Sequence, residues 1–391
     1  MTTRRVLRPP RPSATRVGAW VAILFSAAAC AGGDAPTTQT EVPTFEGFVD
    51  LEIGEFEGED PYLFSYIFSV AADPLGRILV TDSQAHEVRV FDPDGNFLFH
   101  LGGQGDGPGE FRSPCCVAFS PGGELWVRQE PRFTVFELED DGARYVSTVR
   151  RLFTGQLGGY PVVFDGEGRI IDLGLLPEEG GRFVEARIHL NPDGGADTVS
   201  VPEPEAAAEG RTTVEFSSDR GFGFMYFHQP YGPRWLQAWG PGGAWASAVS
   251  SAYEIELQGP NGAVSRLVGP ADPGPALSPA EVDYARHRLE GDMERGNLDE
   301  LPFDIPDRKP PLAELLFDRE GRLWVRKTAA DGAETTEADV YEDGVLVARY
   351  RWPSRVRTGG VPWVTESALY GTTTDPLGVQ RAARVRFEPD A

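Results

Sequence analysis

Ser69-Val70-Ala71-Ala72-Asp73 reads as a short apolar strand, Pro74-Leu75-Gly76-Arg77 as a turn, and Ile78-Leu79-Val80-Thr81-Asp82 as a second strand. The corner Ser83-Gln84-Ala85-His86 leads into Val88-Arg89-Val90-Phe91-Asp92. The turn Pro93-Asp94-Gly95-Asn96 then leads into Phe97-Leu98-Phe99-His100-Leu101. Four short strands joined by hairpins make one blade of a radial β-fold. The inner hairpin recurs, and that recurrence decides the fold. Ala72–Val80 is echoed by Phe119–Val127, Phe164–Ile170, Trp239–Trp245 and Phe317–Val325. The turn glycines Gly76, Gly123, Gly168, Gly243 and Gly321 stand 47, 45, 75 and 78 residues apart. The first two spacings fit one blade each. The longer two fit a blade plus an insertion, because neither contains a second turn motif.

A sixth, fainter blade follows from Pro362–Glu366, Ser367–Asp375 and Arg381–Phe387, where the chain ends one strand short. Phe45–Ile53 is strand-like and precedes blade one. Paired with the last blade it would close the ring and cover both sheet edges. The expected fold class is therefore all-β, a six-bladed propeller of four-stranded blades. One stretch departs from the pattern. Ser278-Pro279-Ala280-Glu281 has the residues of a capping box with proline at the first helical position. Val282, Ala285, Leu289 and Met293 then recur at helical spacing, so an amphipathic helix is expected over 279–296, packed on a mouth or rim of the ring.

The first 29 residues read as a leader. Arg4, Arg5, Arg8, Arg11 and Arg16 precede an apolar run from Val17 to Ala29, too short for the roughly 20 residues of a membrane-spanning helix. Ser26-Ala27-Ala28-Ala29-Cys30 is similar to a bacterial lipobox, with Cys30 as the lipidated first residue of the mature protein. Residues 30–44, rich in Gly, Ala, Thr and Pro, make a tether, and 45–391 form one propeller domain. Loss of the five leader arginines takes the formal net charge from −24 to −29. A surface so acidic repels phosphate backbones and anionic headgroups. Nucleic acid is excluded as a partner, and the lipid anchor alone would hold the protein to the periplasmic face of the inner or outer membrane.

Val80–Gly95, the loop Gly102–Phe111, and Tyr253–Leu257 with Pro260-Asn261-Gly262 carry a family resemblance. Through them the chain resembles the NHL-repeat and related six-bladed β-propeller lipoproteins of bacteria. The resemblance is strongest over 66–150. It implies the propeller fold and leaves function open, since such rings host binding modules, scaffolds and enzymes.

The chemistry-bearing residues are few. His86 occupies the family's histidine position, but His100, His189, His228 and His287 lie elsewhere, so a corner role is expected of it and no metal site. Asp92–Asn96 has a calcium-loop look, yet the twelfth position from Asp92, where a bidentate Glu belongs, is Gly103. Cys115-Cys116 opens the inner strand of blade two. The pair reads either as two small buried apolar residues or as a vicinal disulfide, with strand alternation sending one thiol to the channel and the other to the next blade. Tyr226, His228, Tyr231 and Arg234, in the stretch before blade four's inner strand, could line the channel mouth and hold a carbonyl or an anion. Arg128 and Arg326 follow equivalent Leu-Trp-Val strands and either converge on an anion or make ion pairs. No G-x-S-x-G, H-E-x-x-H or phosphate loop occurs, and no cofactor is expected. The preferred function is a binding or scaffolding module for a small ligand or an envelope protein. The rival is a metal-dependent, lactonase- or lyase-like propeller enzyme, for which Asp165, Asp318 and Glu366 fall near inner strands without forming a recognisable ligand set. A third is a subunit docked through helix 279–296.

Overall fold

The computed structural model describes residues 4–7, 42–150, 162–177, 183–191, 195–200, 204–218, 221–301, 303–359 and 361–390. Two strands, β1 (Arg4–Leu7) and β2 (Thr44–Ile53), precede the first blade. Blade one is β3 (Ile67–Ala72), β4 (Ile78–Asp82), β5 (Glu87–Phe91) and β6 (Phe97–Gly102). Blade two is β7 (Cys116–Phe119), β8 (Leu125–Gln129), β9 (Arg132–Leu138) and β10 (Ala143–Arg150). Blade three is β11 (Val163–Phe164), β12 (Ile170–Pro177), β13 (Phe183–Leu190) and β14 (Ala196–Ser200). A short helix α1 (Glu205–Ala208) and the hairpin β15 (Arg211–Ser218) with β16 (Gly221–His228) fill the first long spacing. Blade four is β17 (Trp235–Trp239), β18 (Trp245–Val249), β19 (Glu254–Gln258) and β20 (Val264–Val268). Helix α2 (Pro279–Gly296) fills the second long spacing. Blade five is β21 (Leu312–Phe317), β22 (Leu323–Lys327), β23 (Thr335–Glu342) and β24 (Val345–Pro353). Blade six is β25 (Trp363–Val364), β26 (Ala368–Thr374) and β27 (Gln380–Pro389), completed by β2. The chain is a six-bladed β-propeller.

The repeated turn has a common physical cause. Asp73 Oδ1 accepts the backbone N–H of Leu75 and Arg77 at 2.9 and 2.8 Å, while its Oδ2 takes Arg77 Nε at 2.7 Å. Asp165 does the same for Glu167 and Arg169, and Asp318 binds the N–H and Nε of Arg322 at 2.8 and 2.7 Å. Each carboxylate thus folds its own turn. The glycine before each arginine, at φ between +77° and +93°, supplies the left-handed residue the reversal needs. Asp-x-x-Gly-Arg is therefore a hairpin device, and it occupies the carboxylates of Asp165 and Asp318 that a metal would otherwise use. Asp92 is committed in the same way, to the N–H groups of Asp94 and Asn96.

The cores lie between blades. Leu79, Val80, Val88 and Val90 in blade one are wholly buried. Between blades five and six Trp324 packs on Tyr350 at 4.3 Å between centroids, with Trp352 and Phe387 beside it. Ring closure follows the expected plan. β2 pairs antiparallel with β27 from Phe45↔Pro389 to Ile53↔Ala382, and its first three residues also pair parallel with β24. Blades five and six thereby share one eight-stranded sheet.

Helix α2 spans the expected residues. Both capping-box bonds are present: Ser278 Oγ accepts from Glu281 N at 3.2 Å, and Glu281 Oε2 accepts from Ser278 N at 3.0 Å. Of the leader, only Arg4–Leu7 are described, paired with Thr213–Phe216 of β15. Cys30 and the tether up to residue 41 lie outside the described residues. No helix among the described residues is long and apolar enough to cross a membrane.

Candidate functional site at the ring axis

The inner strands of the blades converge on the axis, and residues of four neighbouring blades enclose a cavity of about 220 Å³ there. Val163 of β11, Trp235 and Trp239 of β17, Glu314 of β21, Arg319 after β21 and Pro362 before β25 mark its wall. A broader cleft of about 680 Å³ lies off the axis between blades two and three, around the turn Ser120–Glu124. The axial cavity is the stronger candidate despite its smaller size, because polar groups without partners collect on it.

Glu314 Oε2 accepts Arg326 Nε at 2.8 Å. Burial pushes its carboxyl above the usual range, against the pull of Arg326. Asp318 is fully engaged, since besides Arg322 it accepts Trp324 Nε1 at 2.9 Å. Arg319 is different. Its backbone N–H donates to Val364 O, and its guanidinium lies over the Trp363 ring at 4.2 Å from the centroid. Among the described residues no carboxylate lies within ion-pair distance of it, and no acceptor takes its guanidinium N–H groups. Burial lowers its pKa while Glu320 pulls the other way. The side chain is nonetheless open to solvent. A group both water-accessible and desolvated stands on the wall of a concavity. Two further lining residues, Gln237 and Trp239, have buried polar atoms (Oε1 and Nε1) with no partner among the described residues. Gln237 spends its Nε2 on Glu185, at 2.8 Å.

Cys115 and Cys116 sit beside this region. Their Sγ atoms are 2.19 Å apart, at bonding distance, so the two thiols do not take the opposite directions that strand alternation would give them. Cys115 precedes β7 and donates its N–H to Arg128 O at 3.0 Å, which holds it out of the alternation. Cys116 is fully buried, and Cys115 is half-buried in the same apolar cluster as Phe68, Val162 and Val361 of blades one, three and six. Val162 and Val361 are the sequence neighbours of the cavity residues Val163 and Pro362.

None of the six residues expected at the channel mouth lines this cavity. Arg128 is 5 % exposed and pairs with Asp172 of blade three at 3.4 Å. Arg326 is held by Glu314 within blade five. Tyr226 and His228 belong to β16 of the inserted hairpin. Phe227 of that strand lies against Gly296 at the end of α2. Burial lowers the pKa of His228, and the charges of Arg211, Arg234 and Arg288 add to the effect. Tyr231 is raised by burial and by Glu281 of α2. The stretch therefore meets the helix, and of its residues Trp235 lines the cavity. His86 holds the corner: at φ +61° its carbonyl accepts Gly103 N–H at 2.9 Å, and its ring Nδ1 bonds Arg112 O. His189 Nδ1 lies 2.8 Å from Asp165. Among the described residues no three His, Cys, Asp or Glu side chains gather as metal ligands.

Arg319, the residue that marks the site, was missed by motif reading, yet the repeat holds a signal for it. Aligned on their turns, the blades place Pro74, Pro121, Gly166 and Pro241 where blade five has Arg319. A long cation replaces turn-forming residues at one position only.

Against known proteins, residues 42–115 match the sequence family described as a 6-bladed beta-propeller. No curated protein matches the chain. Among solved structures, virginiamycin B lyase from Staphylococcus aureus is similar at 11% identity and a TM-score of 0.41, covering 88% of this chain and 99% of that one. The PQQ-bound aldose sugar dehydrogenase of Streptomyces coelicolor is similar at 12% identity and a TM-score of 0.40, covering 88% and 98%. A calcium-binding protein, regucalcin, from Agrobacterium tumefaciens has 12% identity and a TM-score of 0.33, covering 88% and 96%. At these identities none of their chemistry carries over to this chain.

Proposed function

We propose that this protein is a ligand-binding β-propeller of the bacterial cell envelope, exported by the leader 1–29, lipid-anchored at Cys30, and taking a small molecule into the axial cavity. One observation supports it most: buried Gln237 Oε1 and Trp239 Nε1, and the guanidinium of Arg319, all on residues lining one cavity, have no hydrogen-bond partner among the described residues. Buried polar groups in a folded protein are nearly always satisfied. Several unmet groups around a single concavity mark a place where a ligand completes the bonding. A scaffold acting only through its rim would have no need of them.

The test is a native mass spectrum of the protein purified from its own envelope, beside an Ala313→Trp variant in which an indole fills the cavity. Extra mass on the wild type that is absent from the variant is the expected result. Bare polypeptide in both, with cross-links to a second protein, would turn the assignment to a scaffold.

A further inference from the structure

We infer that the ligand carries a carboxylate or a similarly small anionic group, seated on Arg319; this rests on the axial cavity being the binding site. Among the charged residues that line the cavity, Glu314, Asp318 and Arg319, the described ion pairs account for all but one. Glu314 is matched by Arg326 at 2.8 Å and Asp318 by Arg322 at 2.7 Å. Arg319 is the cation left over, with Glu320 near enough to act on it but outside ion-pair distance. Within a chain of formal net charge −24, a local positive excess on a concave wall favours an anion there.

The geometry adds selectivity. Arg319 Cζ lies 4.2 Å from the Trp363 ring centroid, a contact that holds the guanidinium by its charge. Its coplanar N–H donors have no acceptor among the described residues, so two of them are free to hold a carboxylate through parallel bonds. Partial desolvation strengthens such a bond relative to water. The rest of the wall, with Trp235, Trp239 and Phe317, suits an apolar or aromatic body. Trp239 Nε1 and Gln237 Oε1 offer one donor and one acceptor for a polar group on it. The class that fits is therefore a small aromatic or branched aliphatic acid. A sugar, which needs a dense set of acceptors and donors, fits it poorly.

Phenylacetate and its neutral isostere phenylacetamide serve as probes, titrated by calorimetry and ligand-observed NMR into wild type, Arg319→Gln, Arg319→Lys and Ala313→Trp. The acid should bind wild type at least tenfold tighter than the amide. R319Q should abolish that preference, and R319K, which keeps the charge without the fork, should fall between. Equal binding of the two probes to wild type, or an acid preference that survives R319Q, overturns the anion assignment and leaves the cavity reading standing. Should neither probe bind at about 10 mM, the weakest affinity expected of so small a ligand in a built site, and A313W be indistinguishable from wild type, both readings fall. Among the described residues Arg319 makes no side-chain hydrogen bond or ion pair, only its contact with Trp363, so its variants should melt within a few degrees of the wild type. That measurement guards against misfolding as the cause of any loss.

Discussion

Cys115 and Cys116 show how adjacent residues can matter without stabilising much. A disulfide between neighbours closes the smallest possible loop, and loop-closure entropy then contributes only about 1 kcal/mol. In a chain of 391 residues that corresponds to roughly 2 °C in Tm. Reduction of the bond is thus expected to leave the melting curve almost in place. What it should change is the thiol count: none alkylatable at these positions in the unfolded, unreduced protein, and two after reductant. Two reactive thiols without reductant would return the pair to the simpler reading of small buried side chains. If the bond is there, any function lies in the surface it shapes next to Val162 and Val361, and a Cys115→Ser/Cys116→Ser double variant should shift ligand affinity more than stability. The site residues differ in how far they can be read in sequence. The cysteine pair stands out because two adjacent thiols in a chain read as exported have few roles. Arg319 does not, because its significance is the absence of a partner, and partnership is settled by packing among blades far apart in the chain.

At the element scale, the strands were legible and the insertions only partly so. Asp-x-x-Gly-Arg is a local device that closes its own turn, so its recurrence marks every blade that carries it. The capping box of α2 is equally local. The hairpin β15–β16 has no such signature, and the packing of its Phe227 against the end of α2 is a tertiary fact that the stretch before β17 does not announce. The closing strand β2 is the element with the sharpest energetic consequence. Asp50 on β2 binds Arg384 Nη2 at 2.8 Å and Arg386 Nε at 2.6 Å, and Arg384 reaches on to Pro93 O of blade one. Burial raises the Asp50 pKa, but the bonds and charges of the two arginines outweigh it and hold the carboxyl below its ordinary 3.8. Glu52 is held below 4.5 in the same way, burial being outweighed by Thr373 and Arg355. A carboxyl with a depressed folded-state pKa contributes stability that is whole above its unfolded value and is lost as pH falls through the folded one. The seam should therefore loosen in acid, below about pH 4. Asp50→Asn should cost about 2 kcal/mol at pH 7, as the loss of charged hydrogen bonds does, and the two proteins should converge in stability near pH 2. A constant difference across that range, measured by urea unfolding, would mean that the Asp50 charge does not hold the seam.

For the whole molecule, closure through β2 joins blades five and six into one sheet and leaves the ring without a free inner seam. The chain is strongly acidic, at a formal net charge of −24, and the proposed loss of the leader would take it to −29, a charge that anionic headgroups repel. An envelope location then depends on Cys30, because the ring has no charge attraction to lipid and no described helix that could span a bilayer. One acyl chain binds reversibly and two or more hold firmly, so modification of a single cysteine with several chains is sufficient without help from the ring. The wild-type protein, expressed from its full sequence, is expected to take up radiolabelled palmitate and to partition into the detergent phase of Triton X-114. Cys30→Ala should lose the label and move to the aqueous phase, with an unchanged melting curve. If C30A stays with the membrane fraction while folded, attachment comes from the ring itself. The exposed apolar residues Phe56, Tyr66 and Leu377, which border one groove near the seam, would then be the next to replace.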